Sequence, residues 1–171
     1  MEIQKAIYGR RSIRHYKNKP FSDDILTEIL QSAIEAPSAG NVQARKYYVV
    51  TNQEIKKKLA KASLNQNFIF EAPVAIVVCV DDRIKKRYGS RGTELYAILD
   101  CAASIQNMML TAYAHDLGTC WVGAFDEEAV GKIMNLPENL RVVSILPIGY
   151  PDESPERPDR FTIEDVCEFV D

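Results

Sequence analysis

The sequence predicts one domain of mixed helices and strands, α+β or α/β, on three observations. Two helical patterns come first and strands interleaved with helices follow. The 171 residues contain no internal repeat, low-complexity tract or linker, so residues 1–171 read as a single domain. With 46% hydrophobic and 26% charged residues the composition is that of an ordinary globular protein. A chain of this size buries roughly 70% of its unfolded surface and needs no disulfide staples.

In chain order, residues 2–9 predict a short helix ending at Gly9. Residues 22–36 predict a second: Ser22 suits the N-cap, Asp23 and Asp24 suit the positive helix start, and Ile25, Ile29, Leu30 and Ala33 form one face. Pro37 ends it, because the residue before a proline avoids the α region, and PSAGN (37–41) is a turn. KYYVV (46–50) reads as a strand and residues 53–63 as an amphipathic helix with a basic outer face. VAIVVCV (74–80) lacks polar alternation and predicts a strand buried on both faces. Residues 93–116 are apolar around most of a helix that would be roughly 36 Å long at 1.5 Å per residue. Such a helix must be covered on all sides, which a small domain rarely manages alone, so a subunit interface is expected. TCWVGAF (119–125) reads as a strand or strand end, Asp126 as the cap of a helix over 127–135, and residues 141–150 as the last strand. A proline-punctuated loop (151–159) leads to a short terminal helix over 162–170.

Charge is placed unevenly. RRSIRHYKNK (10–19) holds five Lys/Arg, and no acidic residue lies between Glu2 and Asp23, although the whole chain carries net charge −3. Something anionic is the simplest reason for such a segment. A pI near 5.5 argues against general nucleic-acid binding. The start shows no stretch suited to a signal peptide, and the longest apolar span, 95–114, is broken by Asp100, Gln106 and Asn107. A cytoplasmic protein with no membrane partner is expected. Cys79, Cys101, Cys120 and Cys167 form no C-x-x-C pair, and each sits in an apolar run that suits a buried reduced thiol.

Several chemistries lack their motifs. No G-x-G-x-x-G, G-x-x-x-x-G-K-[ST], H-E-x-x-H or G-x-S-x-G is present. The only histidines are His15 and His115, and His115 closes a helix C-terminus, where a cation offsets the dipole. No metal site and no side-chain acid or base is expected, so an enzyme built this way would leave the hard chemistry to a cofactor.

RRSIRHY (10–16), EAPSAGNVQ (35–43), APVAIVV (72–78), GTCWVGAF (118–125) and LPIGYP (146–151), in that order, resemble the nitroreductase family of flavin-dependent NAD(P)H oxidoreductases. The resemblance spans nearly the whole chain. It implies the α+β alternative: a mixed, mostly antiparallel sheet flanked by helices, in a homodimer whose interface contains the 93–116 helix. It implies FMN as cofactor, NAD(P)H as electron donor, and a ping-pong hydride transfer through flavin N5 to an electron-poor small molecule such as a nitroaromatic, quinone or flavin. Arg10, Arg11 and Ser12 would hold the phosphate end, an anion that the planar arginine fork matches. Arg14 would lie at the N1–C2=O edge of the ring, where a cation favours reduced flavin. Arg160 or Arg157 would complete the phosphate site. Pro37, Ser38, Ala39 and Asn41 would reach the flavin of the neighbouring subunit. Gln66, ahead of Asn65 and Asn67, would meet the pyrimidine side, and Gly123 and Ala124 would present main-chain N–H groups to N5 and O4. Trp121 reads as core or as a shield. No residue is expected to be catalytic in its own right.

Two departures bear on substrate. Gln43 is followed by Ala44 and Arg45, where family members often carry Pro-Trp, and only residues 82–91 stand where many carry a helical insertion over the flavin face. A more open pocket is expected. The alternatives are a different flavin reaction on the same scaffold (reductive dehalogenation, dehydrogenation, flavin modification), a non-catalytic flavin binder, and a basic-patch RNA binder.

Overall fold

A computed structural model describes residues 2–170. The chain runs α1 (Ile3–Gly9), α2 (Asp23–Ile34), β1 (Arg45–Val50), α3 (Gln53–Ala62), α4 (Phe68–Glu71), β2 (Val74–Asp81), α5 (Lys85–Arg91), α6 (Ala97–Ala114), β3 (Gly118–Thr119), α7 (Glu127–Ile133), β4 (Leu140–Gly149) and α8 (Ile163–Val166). This is the α+β class. The four strands are ordered β1-β2-β4-β3, and all three ladders are antiparallel. The parallel element is a bridge between Ser12 and Thr119, which lays the basic segment along the edge strand β3.

Strand β2 is buried at every position, as its unbroken apolar run predicts. Val74, Ile76, Val78 and Val80 face one side, where they pack with Ile29 and Ala33 of α2 and Ile105 and Met108 of α6. Ala75, Val77 and Cys79 face the other, with Leu59 of α3, Val130 of α7 and Ile145 of β4. Alternation along a strand thus feeds two apolar layers at once. Helix α2 begins as read: Ser22 Oγ accepts the Ile25 N–H, and Asp23 and Asp24 occupy the first turn. Asp126 likewise caps α7 through the Ala129 N–H.

Several expectations need correction. The long helix opens with a π-helical turn, Gly92–Tyr96, where buried Gly92 lets the turn widen against Ile84 and Tyr88. The α-helix proper has 18 residues, about 27 Å at the standard rise. As expected of a small domain, its own chain does not cover it all round: Leu99, and Leu95 in the preceding π turn, are exposed. In 119–125 only Thr119 belongs to a strand, and pairing resumes at a bridge between Val122 and Ile145. Trp121 is 40% exposed and is not core. The terminal helix shrinks to Ile163–Val166, one turn held by a Thr162/Asp165 capping box, because residues 154–170 lie exposed and pack against little of the chain. Cys167 is accordingly exposed, unlike the other three cysteines. Burial pushes the Cys79 and Cys101 thiols up to about 12, so both are inert.

Ile76, fully buried at the centre of β2, is the sharpest test of this core. Replacement by Ala should cost about 2–5 kcal/mol in urea unfolding, the range for truncating a buried aliphatic side chain.

Candidate functional site

The basic segment is folded back on the sheet by main-chain bonds. The Ile13 N–H donates to Thr119 O (2.9 Å), the Lys17 N–H to Tyr150 O (2.9 Å) and the Asp152 N–H to His15 O (2.9 Å). Buried Tyr16 donates its hydroxyl to Ile13 O (2.7 Å). Gly118 permits this approach, since a Cβ there would stand 2.6 Å from the Ile13 side chain. Side chains before and within this anchored stretch share a cavity. Arg10, Arg11, Ser12 and Arg14 line one cavity of about 350 Å³ with Pro155, Glu156, Pro158 and Arg160.

Four cations and one carboxylate, Glu156, thus line the same cavity. Among the described residues none of the four arginines has a carboxylate within ion-pair distance. The Nε atoms of Arg10 and Arg11 are buried and have no hydrogen-bond partner. Burial, then the charges of Arg160 and Arg11, pull the Arg10 guanidinium below its ordinary pKa. Arg11 is partly committed elsewhere: one Nη donates to the carbonyls of Tyr8, Gly9 and Arg10 (2.8–3.0 Å), closing the C-terminus of α1. Only its other Nη remains for a ligand, since its Nε is buried. Arg160 gives one Nη to Asp159 O (2.9 Å). Arg157 does not line the cavity and lies over the Tyr8 ring at 5.9 Å. Glu153 accepts the Arg14 N–H and so shapes the rim.

From Cys120 the chain runs along the sheet end to a second group. The Gln66 side-chain amide donates to Ser63 O and Ala124 O, both at 2.9 Å, which ties residue 66 to the Gly123–Ala124 turn. Its Oε1 is left as the free acceptor. The Gly123 and Ala124 N–H groups have no acceptor among the described residues, and the space above Gly123 is open. Asn65 and Asn67 are exposed and make no such link.

The third group stands apart. Pro37, Ser38 and Ala39 line a separate groove of about 330 Å³ with Tyr96, Leu99, Asp100 and Ala103. It shares no residue with the arginine cavity. Asn41 sits on the same loop, accepting from the Gln43 side chain (3.2 Å). Arg45 and Asp100 hold this loop, and neither stands out as a site residue in the sequence. There Arg45 marks only a departure from the Pro-Trp pattern, and Asp100 only a polar break in an apolar run. Both histidines lie outside the three groups: His15 is 3.6 Å from Glu71 and His115 is 2.8 Å from Glu28 at the end of α6.

The model of the nitroreductase family matches residues 7–68 and 62–150. The chain belongs to the nitroreductase family. Among relatives, an Archaeoglobus fulgidus protein named for NADH dehydrogenase and NAD(P)H nitroreductase activities is 35% identical over 94% of this chain and 93% of its own. A Bacillus subtilis FMN reductase [NAD(P)H] is 29% identical over 92% of this chain and 69% of its own. Among solved structures, the NADPH:FMN oxidoreductase of Vibrio harveyi, determined with NAD⁺, superposes with a TM-score of 0.91 at 26% identity, covering 99% of this chain and 77% of that one. In this nitroreductase the family match stops at residue 150. The Arg160 side of the cavity therefore comes from a segment beyond it.

An unbalanced cation cluster should bind and be stabilised by a simple anion. Inorganic phosphate at about 100 times its Kd should add about 2.7 kcal/mol of stability, read as a rise in Tm. The Arg10→Ala, Arg160→Ala double variant should lose most of that rise, and chloride at equal ionic strength should not reproduce it.

Proposed function

We propose that the arginine cavity receives the phosphate of FMN, with its ring lying along Gly123–Ala124 and the loop 37–41 of a second subunit closing over it. As a nitroreductase, the chain is an FMN-dependent NAD(P)H oxidoreductase. The observation that carries the finer reading is the cluster of Arg10, Arg11, Arg14 and Arg160 around one cavity with buried, unpartnered Nε atoms. A dianionic phosphate would give the guanidinium groups an acceptor and favour the charged form of Arg10, which burial first and then the charges of Arg160 and Arg11 disfavour.

When bound, FMN would supply two-electron hydride chemistry through its N5, between NAD(P)H and an electron-poor acceptor such as a nitroaromatic, quinone or flavin, in a ping-pong manner. The protein's own contribution is positional. Arg10, Ser12, Arg160 and the free edge of Arg11 would anchor the phosphate, while Arg14 would keep a fixed positive charge beside the ring. The free N–H groups of Gly123 and Ala124 offer main-chain donors that need no particular side chain. Gln66 Oε1 offers an acceptor beside them. No side chain is assigned a proton-transfer role.

The homodimer rests on two features of the single chain. The 37–41 groove shares no lining residue with the arginine cavity, which supports a site to which two copies would each contribute one of these groups. The uncovered part of α6 and the tail also expose Leu95, Leu99, Phe161, Ile163, Val166 and Phe169, apolar surface of the kind that marks an interface. Among the described residues no helix is long and apolar enough to cross a membrane, and we place the dimer in the cytoplasm.

Anaerobic titration of the purified yellow protein with NADH and with NADPH tests this reading. Bleaching of the flavin band near 450 nm, followed by its return on adding a nitroaromatic or quinone, is the expected result, with sedimentation at the mass of two chains. A flavin that binds but cannot be bleached by either nucleotide would leave a flavin binder in place of an oxidoreductase.

A further inference from the structure

The loop between α2 and β1 is held in an unusual shape. Gly40, Asn41 and Gln43 all have left-handed backbones (φ 53°, 55° and 53°), and two of the three are not glycine. Asparagine tolerates that region, but a glutamine occupies it at a cost and stays there only when its surroundings over-determine it. The surroundings here are specific. Arg45, 8% exposed at the start of β1, donates to four carbonyls: Ile34 O (3.0 Å), Ala36 O (2.6 Å), Pro37 O (3.1 Å) and Asp100 O (3.2 Å). Asp100, 6% exposed in the first turn of α6, accepts the Ala39 N–H with both carboxylate oxygens (3.0 and 3.2 Å). Ser38 Oγ accepts the Gln43 N–H (3.1 Å), and Arg87 donates to Gly40 O (2.9 Å). A Cβ on Gly40 would collide with Arg87 and Tyr88.

A plain helix-to-strand turn needs none of this. Arg45 commits a buried guanidinium to carbonyls of three elements and makes no ion pair among the described residues. A lysine could not replace it, because a point charge with three donors cannot span four carbonyls in one plane. Burial pushes the Asp100 carboxyl up, while the Ala39 N–H and the Arg45 charge pull it back. The two side chains grip the entry of the loop, Arg45 at residues 34–37 and Asp100 at residue 39, while Ser38 holds Gln43 and Arg87 holds Gly40.

We propose that Arg45 and Asp100 are positioning residues that fix the entry of the 37–43 loop and thereby the way it contacts the flavin of the partner subunit. They touch the loop's backbone and act on the cofactor only through it. The inference rests on the FMN reading above and adds the device that shapes its second wall.

The test uses the FMN-loaded full chain with Arg45→Lys, Asp100→Asn and Asp100→Leu variants. Three signals are read: FMN affinity, the visible circular dichroism of the bound ring, and the ³¹P resonance of the bound phosphate. Arg45→Lys and Asp100→Leu should weaken FMN about tenfold, the loss expected when a charge-assisted hydrogen bond ordering a contact is removed. They should change the visible dichroism and leave the ³¹P resonance in place. Asp100→Asn keeps an acceptor for the Ala39 N–H and should stay within about threefold of wild type, since that hydrogen bond survives. Should Arg45→Lys fail to fold, the Asn/Leu contrast at Asp100 decides alone. Variants that lose thermal stability while binding FMN with wild-type affinity and dichroism would overturn the inference and leave the flavin reading standing. A wild-type protein that takes up no FMN would overturn both.

Discussion

Four guanidinium groups around one small cavity are the constraint to which the rest of this structure answers. Like charges at such range disfavour folding unless something offsets them, and the chain provides no carboxylate partner for any of the four among the described residues. Their convergence is set by the backbone. Residues 12–17 are fastened to β3 and to the end of β4, Tyr16 is buried beneath them, and Gly118 leaves room for Ile13. Main-chain hydrogen bonds thus hold these cations together, as the proposed phosphate site requires. The buried, unpartnered Nε atoms say the same in a different way, because buried donors left unsatisfied are costly.

The sheet supplies the rigidity this requires. Strand β2 is buried on both faces and anchors α2 and α6 on one side, α3 and α7 on the other. All three residue groups hang from an edge or end of that frame. The basic segment pairs with β3, the Gly123–Ala124 turn follows the Val122–Ile145 bridge, and the 37–43 loop leads directly into β1. Loops borne by rigid strands can present groups to a ligand without the entropic cost of ordering them at each binding event.

Much of this is legible in the sequence where the signal is local. The Ser22 and Asp126 caps, the uninterrupted β2 run and the charge density of 10–19 each depend on residues within a few positions, and each has its structural counterpart. The family resemblance brings Arg160, Gln66 and the 123–124 turn into view, which composition alone could not. What stays hidden depends on distant partners. Arg45 looks like a substitution in a loop, and its meaning lies in carbonyls as far away as Asp100. The division of Arg11 between the end of α1 and the cavity cannot be read from a pair of adjacent arginines. The terminal helix is shorter than its pattern predicts because amphipathic spacing cannot reveal that a segment has nothing in its own chain to pack on. Trp121 and Cys167 differ from expectation for the same reason.

The account turns on a charged tail being the main handle by which the cofactor is held. Comparing the affinity of the apoprotein for FMN with that for riboflavin, which has the same ring and no phosphate, tests that most directly. The account predicts that FMN binds at least about a hundredfold more tightly, as expected for two or more charge-assisted hydrogen bonds, with the advantage shrinking as salt rises. Equal affinity for the two molecules would contradict it.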